Sequence, residues 1–337
     1  MLIFVLWILS HLIYSINFAY KNRFIRITAI NLLLASYVLL EFRPPTFDLI
    51  NYVAFFAYPN PEEFEYGFYI LAFLLKLVTN DEIYSILVVK FLILTFVLLS
   101  VKIFNRVNFS FYMMTIVLLS MYTFLATQNI LRQGLMLPFV IISTHNFFHR
   151  NQIFGLITSL IGISIHKSFL LFIFMFSLPI YITKKFHNKI AKYLCFIVPC
   201  LIGLIFSIVF TIDNYSLIGD LYLTDEDYSE GRTSFTLKYI LTFIFFMITH
   251  MLFSNSKKND SIKLLLNIRA FNYIFLFSLV FFPEFFSRYM IFCYLIDILI
   301  IVQNRIQDKY YRTACALIII AYSFSPQIFN IITGVYN

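Results

Sequence analysis

The chain has 337 residues, of which 61% are hydrophobic and 12% charged, and it carries a formal charge of +8. Soluble globular proteins hold about 25% charged residues, and half that density cannot solvate a chain of this size. An ordinary cytosolic enzyme, a disordered chain and a nucleic-acid-binding domain are thereby excluded, and the basic excess is read first as a report of membrane topology.

Long unbroken apolar runs such as Ile86–Val101 and Ile153–Ile165 favour membrane helices over a β-barrel, which needs alternating segments of about ten residues. A spanning helix takes roughly 20 mostly apolar residues, so the length accommodates about twelve. The expected fold is all-α, a polytopic transmembrane helical bundle forming a single integral membrane domain over residues 1–337. Spans are expected at 2–19, 25–40, 84–101, 109–126, 134–149, 152–166, 168–182, 190–212, 236–253, 264–282, 288–303 and 313–333. Segment 152–182 is alternatively one element bent around His166–Ser168.

The first run, Leu2–Phe18, has no Lys or Arg before it, whereas Lys21, Arg23 and Arg26 follow it. That polarity is opposite to a cleaved signal peptide and puts the N-terminus outside. The inside loops then hold sixteen of the 25 basic residues, including Lys102, Arg150, Lys184, Lys185, Lys257 and Lys258. Acids such as Glu62, Glu63, Glu65, Asp81, Asp225 and Asp227 fall in the outside segments 41–83 and 213–235. The bias fits the positive-inside rule, provided that 67–78 does not cross the membrane.

Within 41–83, the apolar pieces Leu49–Ala57 and Gly67–Val78 are too short to span and suit interfacial or re-entrant helices. Irregular backbone at membrane depth survives only where protein or a wet cavity satisfies it. Segment 41–83 is therefore expected to roof or line an outer cavity, with 213–235 as a second outer loop. The four cysteines lie inside apolar runs without metal-ligand spacing, and neither a metal nor a cofactor is implied.

Charges set against apolar helices cost about 2.5–3.5 kcal/mol each at mid-membrane, so each is a functional candidate by default. Arg132 follows Gln128-Asn129-Ile130-Leu131 and precedes Gln133. On a helix, Asn129, Arg132 and Gln133 share a face. A guanidinium with two amides suits a phosphate or pyrophosphate; the plainer reading is an arginine snorkelling to the interface. Arg288 lies in Pro283-Glu284-Phe285-Phe286-Ser287-Arg288-Tyr289, expected as a tight outer turn; it is a functional candidate there, and the plainer reading is a pair with Glu284 four residues earlier. His166-Lys167-Ser168 interrupts an apolar stretch. His166 suits a base or phosphate donor as well as a hydrogen-bonded packing role, and Lys167 suits a helix end. Glu65, beside Tyr66-Gly67-Phe68, and Asp48, with Tyr52, are expected to face outward and to supply a base, although Glu65 also suits a plain helix start. Arg232, beyond the acidic cluster Asp225–Glu230, is a further candidate for the cavity. His145 and His149 have i, i+4 spacing but no third ligand nearby.

In order, Asp48-x3-Tyr52, Glu65-Tyr66-Gly67-Phe68, Leu131-Arg132-Gln133, His166-Lys167-Ser168 and Arg288-Tyr289 resemble the landmarks of the EpsG family of Wzy-type polysaccharide polymerases. The chain has Tyr66 where that family commonly has Pro, and Gly134 and Met136 where it commonly has Ala. The resemblance implies a multi-pass enzyme of the bacterial inner membrane with a periplasmic active site. Such an enzyme joins oligosaccharide repeat units carried on undecaprenyl pyrophosphate into O-antigen or capsule. Its partners would be the lipid-linked donor and acceptor and the bilayer, with a chain-length regulator protein as a further candidate. The catalytic candidates are Asp48, Glu65, His166 and Arg132. Candidates for holding pyrophosphate or glycan are Arg132, Gln133, Asn129, Arg288, Lys167, Tyr52 and Arg232. A flippase for the same lipid-linked glycan, or a related ligase, is the alternative.

Overall fold

The computed structural model describes residues 47–105, 130–186, 188–214, 227–255, 260–279, 282–302 and 309–318. Every regular element among these residues is a helix. In chain order they are α1 (Phe47–Ala57), α2 (Tyr66–Val78), α3 (Glu82–Asn105), α4 (Leu131–Phe148), α5 (Gln152–Ile165), α6 (Phe169–Lys185), α7 (Asn188–Asn214), α8 (Asp227–Ser254), α9 (Asp260–Ser278), α10 (Pro283–Val302) and α11 (309–318). Two of them, over Glu82–Phe104 and Lys189–Phe206, are long and apolar enough to cross a membrane. The expected spans at 2–19, 25–40 and 109–126 lie outside the described residues, as does most of 313–333.

Local chemistry explains several boundaries. Asp81 accepts hydrogen bonds from the backbone N–H of Ile83 (2.9 Å) and Tyr84 (3.2 Å), which is how an N-cap satisfies a helix's orphan donors. Glu82 in the first turn and Lys102 in the last turn of α3 complement its dipole. Helix α4 ends in a Schellman-type turn. There Arg150 N–H reaches the Phe147 carbonyl (3.3 Å), Asn151 N–H reaches the Asn146 carbonyl (2.9 Å), and Arg150 adopts φ 62°. That left-handed position usually belongs to glycine. The stretch 152–182 is two helices, broken where His166 turns extended (φ −158°, ψ 121°).

Two expectations need correction. Helix α8 begins at Asp227, so the second half of the expected 213–235 loop is helical. Helix α10 begins at Pro283, so Arg288 sits inside a helix and not in a tight turn. Proline is pre-organised for the first helical position, where its missing N–H costs nothing.

The chain divides into two compact units, one of Val38–Leu178 with Ile301–Gln303 and the other of Met1–Tyr37, Pro179–Ile300 and Asn304–Asn337. In the first, α4 packs between α3 and α5, and α2 packs on α1, α3 and α5. Residues Leu131 and Gln133–Thr144 of α4 are buried. Ser143 on α4 donates to Thr158 on α5 at 2.8 Å, an interhelical hydrogen bond of the kind that joins helices in lipid. Gly67 lies so close to α5 that an added Cβ would stand 2.7 Å from the Ser164 backbone carbonyl.

In the second unit, α9 packs on α7 and α8. Arg269 of α9 and Asp297 of α10 form an ion pair at 2.7 Å, with both side chains at 0% exposure. Arg269 also donates to Thr249 of α8 (2.8 Å), and the Tyr273 hydroxyl donates to the second Asp297 oxygen (2.6 Å). Tyr289 donates to Asn272 at 2.6 Å. Outside this network α7 exposes an apolar stripe of Ile190, Tyr193, Ile197, Leu201, Leu204 and Ile208. Its spacing follows one helix face, and water would not solvate it.

Candidate functional site

Three segments of the first unit meet at one carboxylate. Glu65 stands at the N-cap of α2 (φ −61°, ψ 145°), yet its side chain makes no cap hydrogen bond. Glutamate is a poor N-cap residue, and here the side chain is turned away from its own helix. One oxygen, Oε2, accepts from Nη1 of Arg132 at 2.5 Å. The other, Oε1, lies 3.4 Å from the Lys167 N–H and 3.7 Å from Nδ1 of His166. The three side chains are 18–23% exposed, so the cluster is sheltered but reachable.

Each member is held from a helix end. Arg132 is the second residue of α4, beyond an Ile130 that gives no side-chain cap. The Phe64 ring lies 4.0 Å from the guanidinium carbon, close enough for a cation–π contact. Phe64 and Glu65, adjacent in sequence, therefore cover one face and one edge of the same guanidinium. Arg132 Nε is buried and has no acceptor among the described residues. His166 closes α5. Its Nδ1 accepts from the Ser168 N–H (3.2 Å) and lies 3.0 Å from the Ser168 hydroxyl. In the neutral ring this places the proton on Nε2.

Electrostatics favour an ionised Glu65. Burial on its own pushes the carboxyl up. The backbone N–H, the nearby charges of Arg132 and His166, and the Arg132 hydrogen bond outweigh burial and hold the group below its ordinary 4.5. A guanidinium beside a carboxylate and an imidazole can do two things chemically. It can grip a phosphate oxygen through paired N–H groups, and the acid–base pair beside it can take a proton from a hydroxyl.

The other predicted residues are placed differently. Gln133 is buried at 5% exposure. Lys167 reaches the site through its backbone N–H, and its side chain is exposed. Tyr52 does not face outward. Its ring is 7% exposed, packed 5.7 Å from Phe64 and 5.9 Å from Phe68, because the aromatic cluster of α1 and α2 offers it more apolar contact than the surface does. Asp48 lies on α1 and Arg232 on α8, but their side chains are not among the described features. Asn129 lies outside the described residues, and Ile130 before α4 is not helical (φ −132°, ψ 58°). Arg288 belongs to the second unit, on an exposed face of α10. The His145 and His149 rings stack at 4.0 Å, with His149 Nδ1 on the His145 carbonyl.

Sequence reasoning missed Phe64 and the Arg269–Asp297 pair. Nothing in the order of residues marks Phe64 out among so many phenylalanines. Arg269 and Asp297 did carry a signal: opposite charges inside the runs 264–282 and 288–303, where a lone charge is costly.

A family model described as the EpsG family matches residues 2–336, nearly the whole chain. No curated protein and no solved structure matches.

Proposed function

We infer the function from a premise that this match establishes: the chain belongs to the EpsG family, which is associated with Wzy-type polymerases. It is a helical membrane protein of a polysaccharide polymerase-type glycosyltransferase family. Our reading of its reaction is finer. The enzyme sits in the bacterial inner membrane and joins undecaprenyl-pyrophosphate-linked oligosaccharide repeat units on the periplasmic face. The product is an O-antigen or capsular polysaccharide.

The observation that carries this reading is the meeting of Arg132, Glu65 and His166 from three separate helix ends. In the proposed step, the acceptor sugar's hydroxyl oxygen forms a bond to the donor's anomeric carbon. The bond from that carbon to the pyrophosphate oxygen breaks, and its electron pair leaves with the lipid pyrophosphate. The hydroxyl proton goes to a carboxylate or imidazole. A fixed guanidinium at the departing oxygen stabilises charge where it develops, and removing one such donor typically costs about 10²–10³ in rate. The donor is already activated, so the step needs no nucleotide.

The test is deletion and complementation in the source bacterium, reading the length ladder of its surface polysaccharide. The deletion strain should retain single repeat units on the lipid core, an outcome that a missing flippase would not give. Arg132→Ala should leave the protein in the membrane and the glycan at one repeat unit. A normal ladder from that variant would remove Arg132 from the site.

A further inference from the structure

In the described structure the Arg132 guanidinium is already occupied by an anion, the Glu65 carboxylate at 2.5 Å. Phe64 covers one face of the guanidinium at 4.0 Å, so anions compete for its edges, where all five N–H donors point. Arg132 Nε, on one of those edges, is buried without an acceptor among the described residues. Glu65 meanwhile has a second set of partners in place. Its Oε1 lies 3.4 Å from the Lys167 N–H and 3.7 Å from His166 Nδ1, both at the break between α5 and α6.

We propose that Glu65 is a place-holder anion: a pyrophosphate arriving at Arg132 displaces it, and the freed carboxylate, kept by the Lys167 N–H beside His166, becomes the base that takes the acceptor's hydroxyl proton. This rests on the polymerase reading of the same site. Held by Arg132, the carboxylate is a weak base because the guanidinium favours its charged form. Handing Arg132 to the phosphate removes that support, and the phosphate's own charge disfavours a second anion beside it. Both effects raise the proton affinity of Glu65 only after the donor has bound. Protons and electrons balance within the transfer already described: Glu65 gains the hydroxyl proton, and the leaving pyrophosphate keeps the electron pair beside Arg132. Binding is therefore ordered, donor first and acceptor second, and the base stays silent in the empty enzyme.

The test uses the full-length protein in detergent and a C15 prenyl pyrophosphate as probe. Its binding is measured by equilibrium dialysis. In parallel, a carbodiimide, which reacts with protonated carboxyls, labels Glu65, and the modified peptide is quantified by mass spectrometry. Saturating probe should raise Glu65 labelling several-fold in the wild type. Arg132→Gln should label fast with or without probe. Glu65→Gln should bind the probe more tightly than wild type, because the competing anion is gone, and should form no polymer. Probe binding with unchanged or reduced Glu65 labelling in the wild type overturns the exchange and leaves the pyrophosphate site standing. So does weaker binding by Glu65→Gln. Absence of binding to the wild type overturns the pyrophosphate reading, and the exchange with it. The wild-type comparison decides the matter even if a variant fails to fold.

Discussion

Replacing Asp297 by leucine removes the counter-charge of an arginine that is 0% exposed. Arg269 would keep its hydrogen bond to Thr249 and its stacking on Phe246 (4.9 Å) and Tyr273 (4.7 Å). It would lose the ion pair with the Asp297 carboxylate, and Tyr273 would lose that acceptor of its hydroxyl. Breaking a buried pair from one side costs about 3–5 kcal/mol, and an unpaired charge within a membrane helix about 2.5–3.5 kcal/mol. The retained contacts argue for the lower part of that range, so Asp297→Leu should destabilise by about 3–4 kcal/mol. Arg269→Met should cost less, about 2–3 kcal/mol, because Asp297 keeps the hydrogen bond from the Tyr273 hydroxyl. The double variant should lie close to wild type, since an apolar pair of similar volume often replaces a buried ion pair without loss. The assay is reversible unfolding in mixed micelles, read as a double-mutant cycle. A coupling energy below about 0.5 kcal/mol, with the two losses simply adding, would refute the claim that these side chains act as one buried pair.

Gly67→Ala should cost about 1–3 kcal/mol and most of the activity, because the new methyl meets the Ser164 backbone and pushes α2, with Glu65 at its head, off α5; melting temperature and the glycan ladder read the two effects. Phe64→Leu removes a guanidinium–ring contact worth about 1 kcal/mol, which should lower the polymerisation rate about fivefold at unchanged protein level. Glu65 is held below its ordinary 4.5 in the folded state, so the stability it contributes is present above about that pH and is lost as pH falls through the lower folded value. The wild type should therefore lose melting temperature below about pH 4.5 more steeply than Arg132→Gln, and parallel curves would show that the ion pair contributes nothing.

Hydropathy made the helical class and most helix positions legible, because membrane helices advertise themselves as apolar runs. The short helices α1 and α2 were legible for the same reason, bounded by proline and by Glu65. The start of α8 was not. Asp227-Tyr228-Ser229-Glu230-Gly231-Arg232 is polar, and a reading keyed to apolar content sees only the part of that helix that lipid would cover. The residues of the site were visible as charges in the wrong company, but their pairing was not. Glu65 and Arg132 lie 67 positions apart, and no local period links them. Tyr52 was misjudged because Asp48, one helical turn earlier, suggested an outward face, while its neighbours in space are Phe64 and Phe68. Arg269 and Asp297 were overlooked because averaging over an apolar run conceals a pair of charges that cancel only in three dimensions.

Glu65, Arg132 and His166 all fall within Val38–Leu178. At about 5–20 residues per second, the ribosome completes that stretch roughly 8–30 s before the end of the chain. The ion pair at the mouth of α2 therefore has all its parts inserted while the helices bearing Arg269, Arg288 and Asp297 are still unmade. Arg132 therefore meets the carboxylate of Glu65 before those helices exist, and this one guanidinium does not wait on the rest of the chain for its counter-charge.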